Sequence, residues 1–79
     1  MANSTYYKPA GIPLRELDDV IIGQDEMEAL RLADKEGMYH EDAANSMGIS
    51  RQTFGRIVSS ARKKIADALI DGKAIRVDG

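Results

Sequence analysis

Gln52, Arg56, Ser59 and Lys63 recur at steps of four, three and four, with Ser60 beside them and no acid in the row. On a helix that spacing puts them on one face, roughly 16 Å long at 1.5 Å per residue. An amide, a guanidinium, two hydroxyls and an ammonium in line form a surface of hydrogen-bond donors, matched to acceptor-rich base edges and phosphates. A glutamine side chain can pair with an adenine edge and an arginine with a guanine edge. Gln52 and Arg56 are therefore the candidates for base contact, with Ser59 and Ser60 as further donors. Arg51, Thr53, Arg62, Lys63 and Lys64 are candidates for phosphate contact, which orients a helix without reading sequence. The bland reading of the Arg62 to Lys64 cluster is a solvated helix face.

Such a face needs a rigid helix held at a set angle, and the flanking residues predict one. Ser50 stands where an N-cap would accept orphan amides, and apolar residues follow at Phe54, Ile57, Val58, Ala61, Ile65, Ala68 and Leu69 in steps of three and four. A helix over 51–71 results, stopped by Gly72. Ahead of it, 40–47 predicts a shorter helix with Ala43, Ala44 and Met47 on one side. Gly48 can take the positive φ of a sharp turn, and Ile49 plugs the corner. Small Ala44 lets the two backbones approach, and Phe54 with Ile57 fixes their angle. This is the spacing of a helix-turn-helix, although an ordinary two-helix corner uses similar residues. Gly55 costs about 1 kcal/mol relative to alanine inside a helix. Close approach of a sugar-phosphate strand or of a neighbouring helix would account for it, the second being the favoured reason.

A first helix is expected over 24–36, with acids in its opening turn and Gly37 as its stop. Met27, Ala29, Leu30, Leu32 and Ala33 cover more than half its circumference, leaving Glu28, Arg31 and Lys35 a narrow arc, so neighbours should wrap it on several sides. Residues 1–23 contain Pro9, Gly11 and Pro13 and read as an extended arm anchored by Tyr6, Tyr7, Ile12, Leu14 and Leu17. Val20 to Ile22 and the alternating Ala74 to Val77 of the tail, 73–79, predict a short two-stranded pairing.

Charge is divided along the chain. Residues 1–50 carry four basic side chains against ten acidic ones, and residues 51–79 carry seven against three. A net charge of -2 thus conceals a basic half that could face a polyanion. Seventy-nine residues make one small domain. The absence of cysteine rules out disulfides and thiolate chemistry, which fits a reducing cytoplasm. No apolar run approaches the ~18 residues that span a bilayer, so no membrane role is expected. His40 reads as an exposed, neutral residue, Met27, Met38 and Met47 as fillers of core gaps, and the acids near the first helix as dipole partners and solubilising charge. No catalytic constellation, metal site or cofactor loop is evident, so an enzyme is not expected.

Tyr7-Lys8-Pro9, Gly11-Ile12-Pro13, Glu28 to Leu32, Gly37, Ala43-Ala44, Met47-Gly48, Ser50-Arg51, Thr53-Phe54, Arg56, Ala61-Arg62 and Gly72-Lys73 together resemble the domain-of-unknown-function 134 family of prokaryotic proteins. The resemblance implies a helix-turn-helix similar to region 4 of bacterial sigma factors, with the Ser50-led helix as recognition element. Two positions depart from the pattern. Met1 to Thr5 lacks the family's basic N-terminal segment, and Tyr39-His40 stands where relatives have Ser or Thr followed by Gln. The whole chain then reads as one mainly α, three-helix helix-turn-helix domain with an extended arm and a short β element. The expected function is sequence-specific binding of double-stranded DNA by a nucleoid-associated transcriptional regulator, in which a homodimer on paired half-sites would supply specificity. Ile70 and the terminal strand are candidate dimer surfaces. The alternative is an adaptor that binds RNA polymerase or another regulator through the acidic half.

Overall fold

The computed structural model describes residues 4–78. Strand β1 (Ser4–Tyr7) leads through a single 3-10 turn (Leu14–Glu16) to β2 (Asp19–Ile22), three helices follow, and β3 (Ala74–Asp78) closes the chain. The helices are α1 (Gln24–Leu30, prolonged by a π-helical turn over Arg31–Lys35), α2 (His40–Met47) and α3 (Arg51–Asp71). The domain is mainly α with a minor sheet, as the periodicities predict. No described helix is long and apolar enough to cross a membrane.

The sheet is larger than the expected pair. Its order is β1-β3-β2, with β3 antiparallel to β1 (Tyr7 opposite Ile75) and parallel to β2 (Ile22 opposite Val77). The expected pairing of Val20–Ile22 with the tail is present, and the start of the supposed extended arm adds the third strand. Thr5, Tyr6 and Tyr7 have the branched or aromatic side chains that favour strands, but three residues are too few to show alternation. Pro9 has no N–H to give a ladder, so β1 stops before it. Most of the arm's expected anchors do not reach the core: Tyr6, Tyr7, Ile12 and Leu14 stay exposed, Leu17 is half-buried, and Ile22 is the buried residue of this segment.

The first helix begins and ends where expected but changes winding. Glu36 N–H donates to the Arg31 carbonyl at 2.9 Å, one residue farther back than in an α-helix, and Gly37 at φ +71° turns the chain away. Against it pack α2 and α3. The principal cluster comprises Ala29, Leu32, Ala43, Ala44, Phe54 and Val58, with Met38, Met47, Ile49 and Ile57 at its margin. Met27, expected there, lies outside it and is 39% exposed. The third helix departs too: its stripe is buried at Phe54, Val58, Ala61 and Ala68, yet Leu69 is 74% exposed. Among the described residues six of the ten buried apolar side chains are alanine, so the core is small for the helices it joins. The molecule is a slab of 40 × 31 × 18 Å. Its radius of gyration of 13.7 Å exceeds the about 12 Å expected of a compact chain this long.

Candidate nucleic-acid interface

The turn between α2 and α3 sets the direction of the row of donors. Gly48 takes φ +69°, and the Ile49 amide donates to the Ala44 carbonyl at 3.0 Å, closing α2. Ser50 then opens α3: its Oγ accepts from Thr53 N–H at 3.1 Å and donates to Thr53 Oγ1 at 2.9 Å. By contrast α2 starts at Tyr39 with no side-chain cap, as the departure at that position implies. With Phe54 and Val58 fully buried, the opposite face of α3 must look outward. Arg51, Gln52, Thr53, Arg56, Ser59, Ser60, Arg62 and Lys63 are all exposed, and Lys64 is half-buried. Among the described residues, neither β3 nor the other strands cover the row.

These nine side chains divide into two groups. Arg51, Gln52, Arg56 and Ser59 have no side-chain hydrogen bond or ion pair with another described residue. The other five are engaged. Thr53 serves the cap, Arg62 donates both its Nε (3.0 Å) and an Nη (2.7 Å) to the Asp34 carboxylate, and Lys63 reaches Asp67 at 2.9 Å. Ser60 Oγ donates to Glu26 Oε2 at 2.8 Å, while Lys64 Nζ donates to Glu26 Oε1 at 2.8 Å and to the Ile21 carbonyl at 2.7 Å.

Magnitudes separate these engagements. The Arg62 and Lys63 pairs lie in water, where such bridges contribute about 0–1 kcal/mol, so either cation can exchange its partner for a phosphate at little cost. Glu26 differs because it is buried, at 8% exposure, and joins α1 to α3 through Ser60 and Lys64, the second of which also ties α3 to β2. Burial pushes its carboxyl up, but hydrogen bonds from the Gly23 N–H, Lys64 and Ser60 outweigh that and hold it below the ordinary carboxylate range. Arg62 likewise lowers Asp34, and Asp67 raises Lys63. Releasing Lys64 would strand a buried carboxylate, so Lys64 and Ser60 belong to the scaffold as it stands. Glu26 was thus more than a dipole partner. Its signal was its place three residues after Gly23, where a glutamate reaches back to the first free amide of a helix; here Gly23 N–H to Oε1 is 3.0 Å.

Three other expectations change. A Cβ on Gly55 would meet nothing within 4 Å, so this glycine does not admit a neighbouring helix. His40 is half-buried and meets the Phe54 ring in a T-shaped contact, with centroids 5.1 Å apart. The side of α1 bearing Met27 is not wrapped: a groove of about 1070 Å³ opens there, lined by Met27, Leu30 and Ile65 and rimmed by Asp25, Glu28, Arg31, Asp34 and Lys35. Among the described residues no group of three or more His, Asp or Glu side chains could hold a metal.

Comparison with known proteins identifies the family of the chain. A family described as protein of unknown function DUF134 matches residues 3–79. The chain belongs to that family. It is 61% identical over 75 residues to a UPF0251 protein of Moorella thermoacetica, covering 95% of this chain and 50% of the relative. A UPF0251 protein of Chlorobaculum tepidum is 60% identical over 75 residues, covering 95% and 49%. One from Caldanaerobacter subterraneus is 58% identical over 77 residues, covering 98% and 65%. The chain therefore spans about half to two thirds of the length of these curated DUF134 relatives. No solved structure matches it.

Proposed function

We propose that the protein is a sequence-specific double-stranded DNA-binding protein, a transcriptional regulator that lays the N-terminal half of α3 in the major groove. The observation that carries this reading is the uncommitted set Arg51, Gln52, Arg56 and Ser59. These four polar side chains project from three turns of a capped helix whose other face is anchored by Phe54 and Val58. Gln52 and Arg56 lie one turn apart, about 6 Å along the axis, so they reach neighbouring base pairs. In this reading Gln52 meets an adenine edge and Arg56 a guanine edge. Arg51 contacts phosphate, Ser59 continues the row, and Thr53 presents the hydroxyl end of the cap. Arg62 and Lys63 join as phosphate contacts by exchanging partners, whereas Lys64 and Ser60 serve from behind by fixing α3 on Glu26. The vacant space beside Gly55 suits a sugar-phosphate strand.

Selection of bound fragments from a genomic DNA pool tests this directly. The wild type is expected to retain a limited set of sequences with affinity that falls steeply as salt rises. Arg56→Ala and Gln52→Ala are each expected to lose about 1–3 kcal/mol of discrimination at a contacted base pair while their melting curves stay unchanged. If the wild type shifts no DNA at low salt, the regulator reading fails; if it also retains RNA polymerase or another regulator through the acidic half, the adaptor reading takes its place.

A further inference from the structure

A cleft of about 340 Å³ opens between the start of α1 and the middle of α3, lined by Asp25, Glu26, Arg56, Ile57, Ser60 and Lys64. Glu26 and Lys64 neutralise each other there at 2.8 Å, with Ser60 on the second carboxylate oxygen at 2.8 Å. Asp25 and Arg56 behave differently. Both are exposed, and neither forms an ion pair with any described residue. Asp25 is nevertheless oriented, because its Oδ1 accepts from the Glu26 N–H at 2.8 Å, which leaves Oδ2 without a partner. One cleft thus offers a free guanidinium fork and a free carboxylate oxygen.

We propose that Asp25 is a specificity-determining residue that acts with Arg56 to read both bases of one G·C pair, an inference that rests on the DNA-binding reading of α3. In the major groove such a pair presents two acceptors on guanine, N7 and O6, and one donor on cytosine, the N4 amino group. Arg56 supplies donors for the first two, and Asp25 Oδ2 accepts from the third. Guanine O6 and cytosine N4 are bonded to each other at about 2.9 Å, so a donor and an acceptor from one cleft can reach them together. The two protein groups must first be free of one another, and Asp25 and Arg56 meet that condition.

The combination fixes the orientation of the pair as well as its composition. If the pair were turned over, Arg56 would face the cytosine amino group and Asp25 the guanine acceptors, donor against donor and acceptor against acceptor. An A·T pair with adenine under Arg56 sets the N6 amino group against the guanidinium and thymine O4 against the carboxylate. A T·A pair satisfies Asp25 through adenine N6 but offers the fork one acceptor in place of two. Arginine alone prefers guanine; the carboxylate adds a penalty against any pair that lacks an amino group at its own position.

Binding to a duplex retained from the genomic pool tests the pairing of roles. The base pair read by Arg56 is the one at which Arg56→Ala loses preference, and its cytosine is replaced by 2-pyrimidinone, which lacks only the 4-amino group. The wild type is expected to bind the altered duplex about tenfold more weakly, and Asp25→Ala to bind the two duplexes equally. Should Asp25→Ala disturb folding, Asp25→Asn keeps an oxygen for the Glu26 N–H and turns its amide N–H groups outward, so it is expected to prefer 2-pyrimidinone over cytosine. A folded Asp25→Ala protein that still distinguishes the duplexes, or a pair under Arg56 that contains no guanine, overturns this inference and leaves the DNA-binding reading standing. A wild type that binds no DNA overturns both.

Discussion

The two halves of α3 have opposite relations to their surroundings, although no break in the helix separates them. From Arg51 to Ser60 the buried side holds Phe54 and Val58, and the outer side carries polar groups of which Arg51, Gln52, Arg56 and Ser59 bond to nothing else described. From Ala61 to Asp71 the buried side holds only alanines at Ala61 and Ala68, the cations are paired, and Leu69 and Ile70 face water. One half is anchored strongly inward and leaves polar side chains open to water; the other is anchored weakly and leaves apolar side chains there.

The largest expected effect tests that anchoring. Phe54→Ala removes a fully buried ring and its contact with His40, and should destabilise the protein by about 3–5 kcal/mol. For so small a core this amounts to most of the folding free energy. Leu69→Ala, at the far end of the same apolar stripe, should change the stability of the monomer by no more than about 0.5 kcal/mol. Urea titrations of the two variants, made dilute enough to exclude association, check the contrast. Comparable losses would mean that the two ends are packed alike.

An intermediate effect is expected where the halves meet. Glu26→Gln keeps the shape of the side chain and removes the charge that Lys64, Ser60 and the Gly23 amide address, which should cost about 1–3 kcal/mol at neutral pH. The carboxyl is held below its ordinary range in the folded protein. Its contribution is therefore complete above the ordinary carboxyl pKa and is lost as the pH falls through its lower folded value. The difference between wild type and Glu26→Gln should shrink through that acidic window, measured by urea unfolding at a series of pH values. A difference independent of pH would show that the carboxylate charge is not what joins α1 to α3.

Much of this architecture is legible in the residues. The cap at Ser50, the turns at Gly37, Gly48 and Gly72, and the periodic stripe from Phe54 depend on contacts within a few residues, so local pattern suffices to locate them. Strand β1 escapes because its partner lies at the other end of the chain and three strand-prone residues make no periodicity. The reversal at Leu69 escapes for a related reason: periodicity reports which residues share a face, but not whether anything is there to cover it. Sequence likewise placed nine polar side chains on α3, whereas only the fold distinguishes Arg56, left open, from Lys64, bound to a glutamate 38 positions earlier.

The smallest effect concerns Gly55, which lies in the donor-bearing half and fills no packing requirement. A methyl group there meets nothing within 4 Å, and its helical backbone suits alanine. Gly55→Ala should therefore raise stability by about 1 kcal/mol, seen as a higher denaturation midpoint with an unchanged slope. Retaining glycine at that cost makes sense if the bare backbone admits something close from outside. The same variant should then bind selected DNA fragments more weakly despite folding better, a divergence that neither a packing role nor a general loss of structure would produce. Equal or tighter DNA binding by the stabilised variant would remove Gly55 from the interface and shift the point of closest approach toward Arg51 or Ser59.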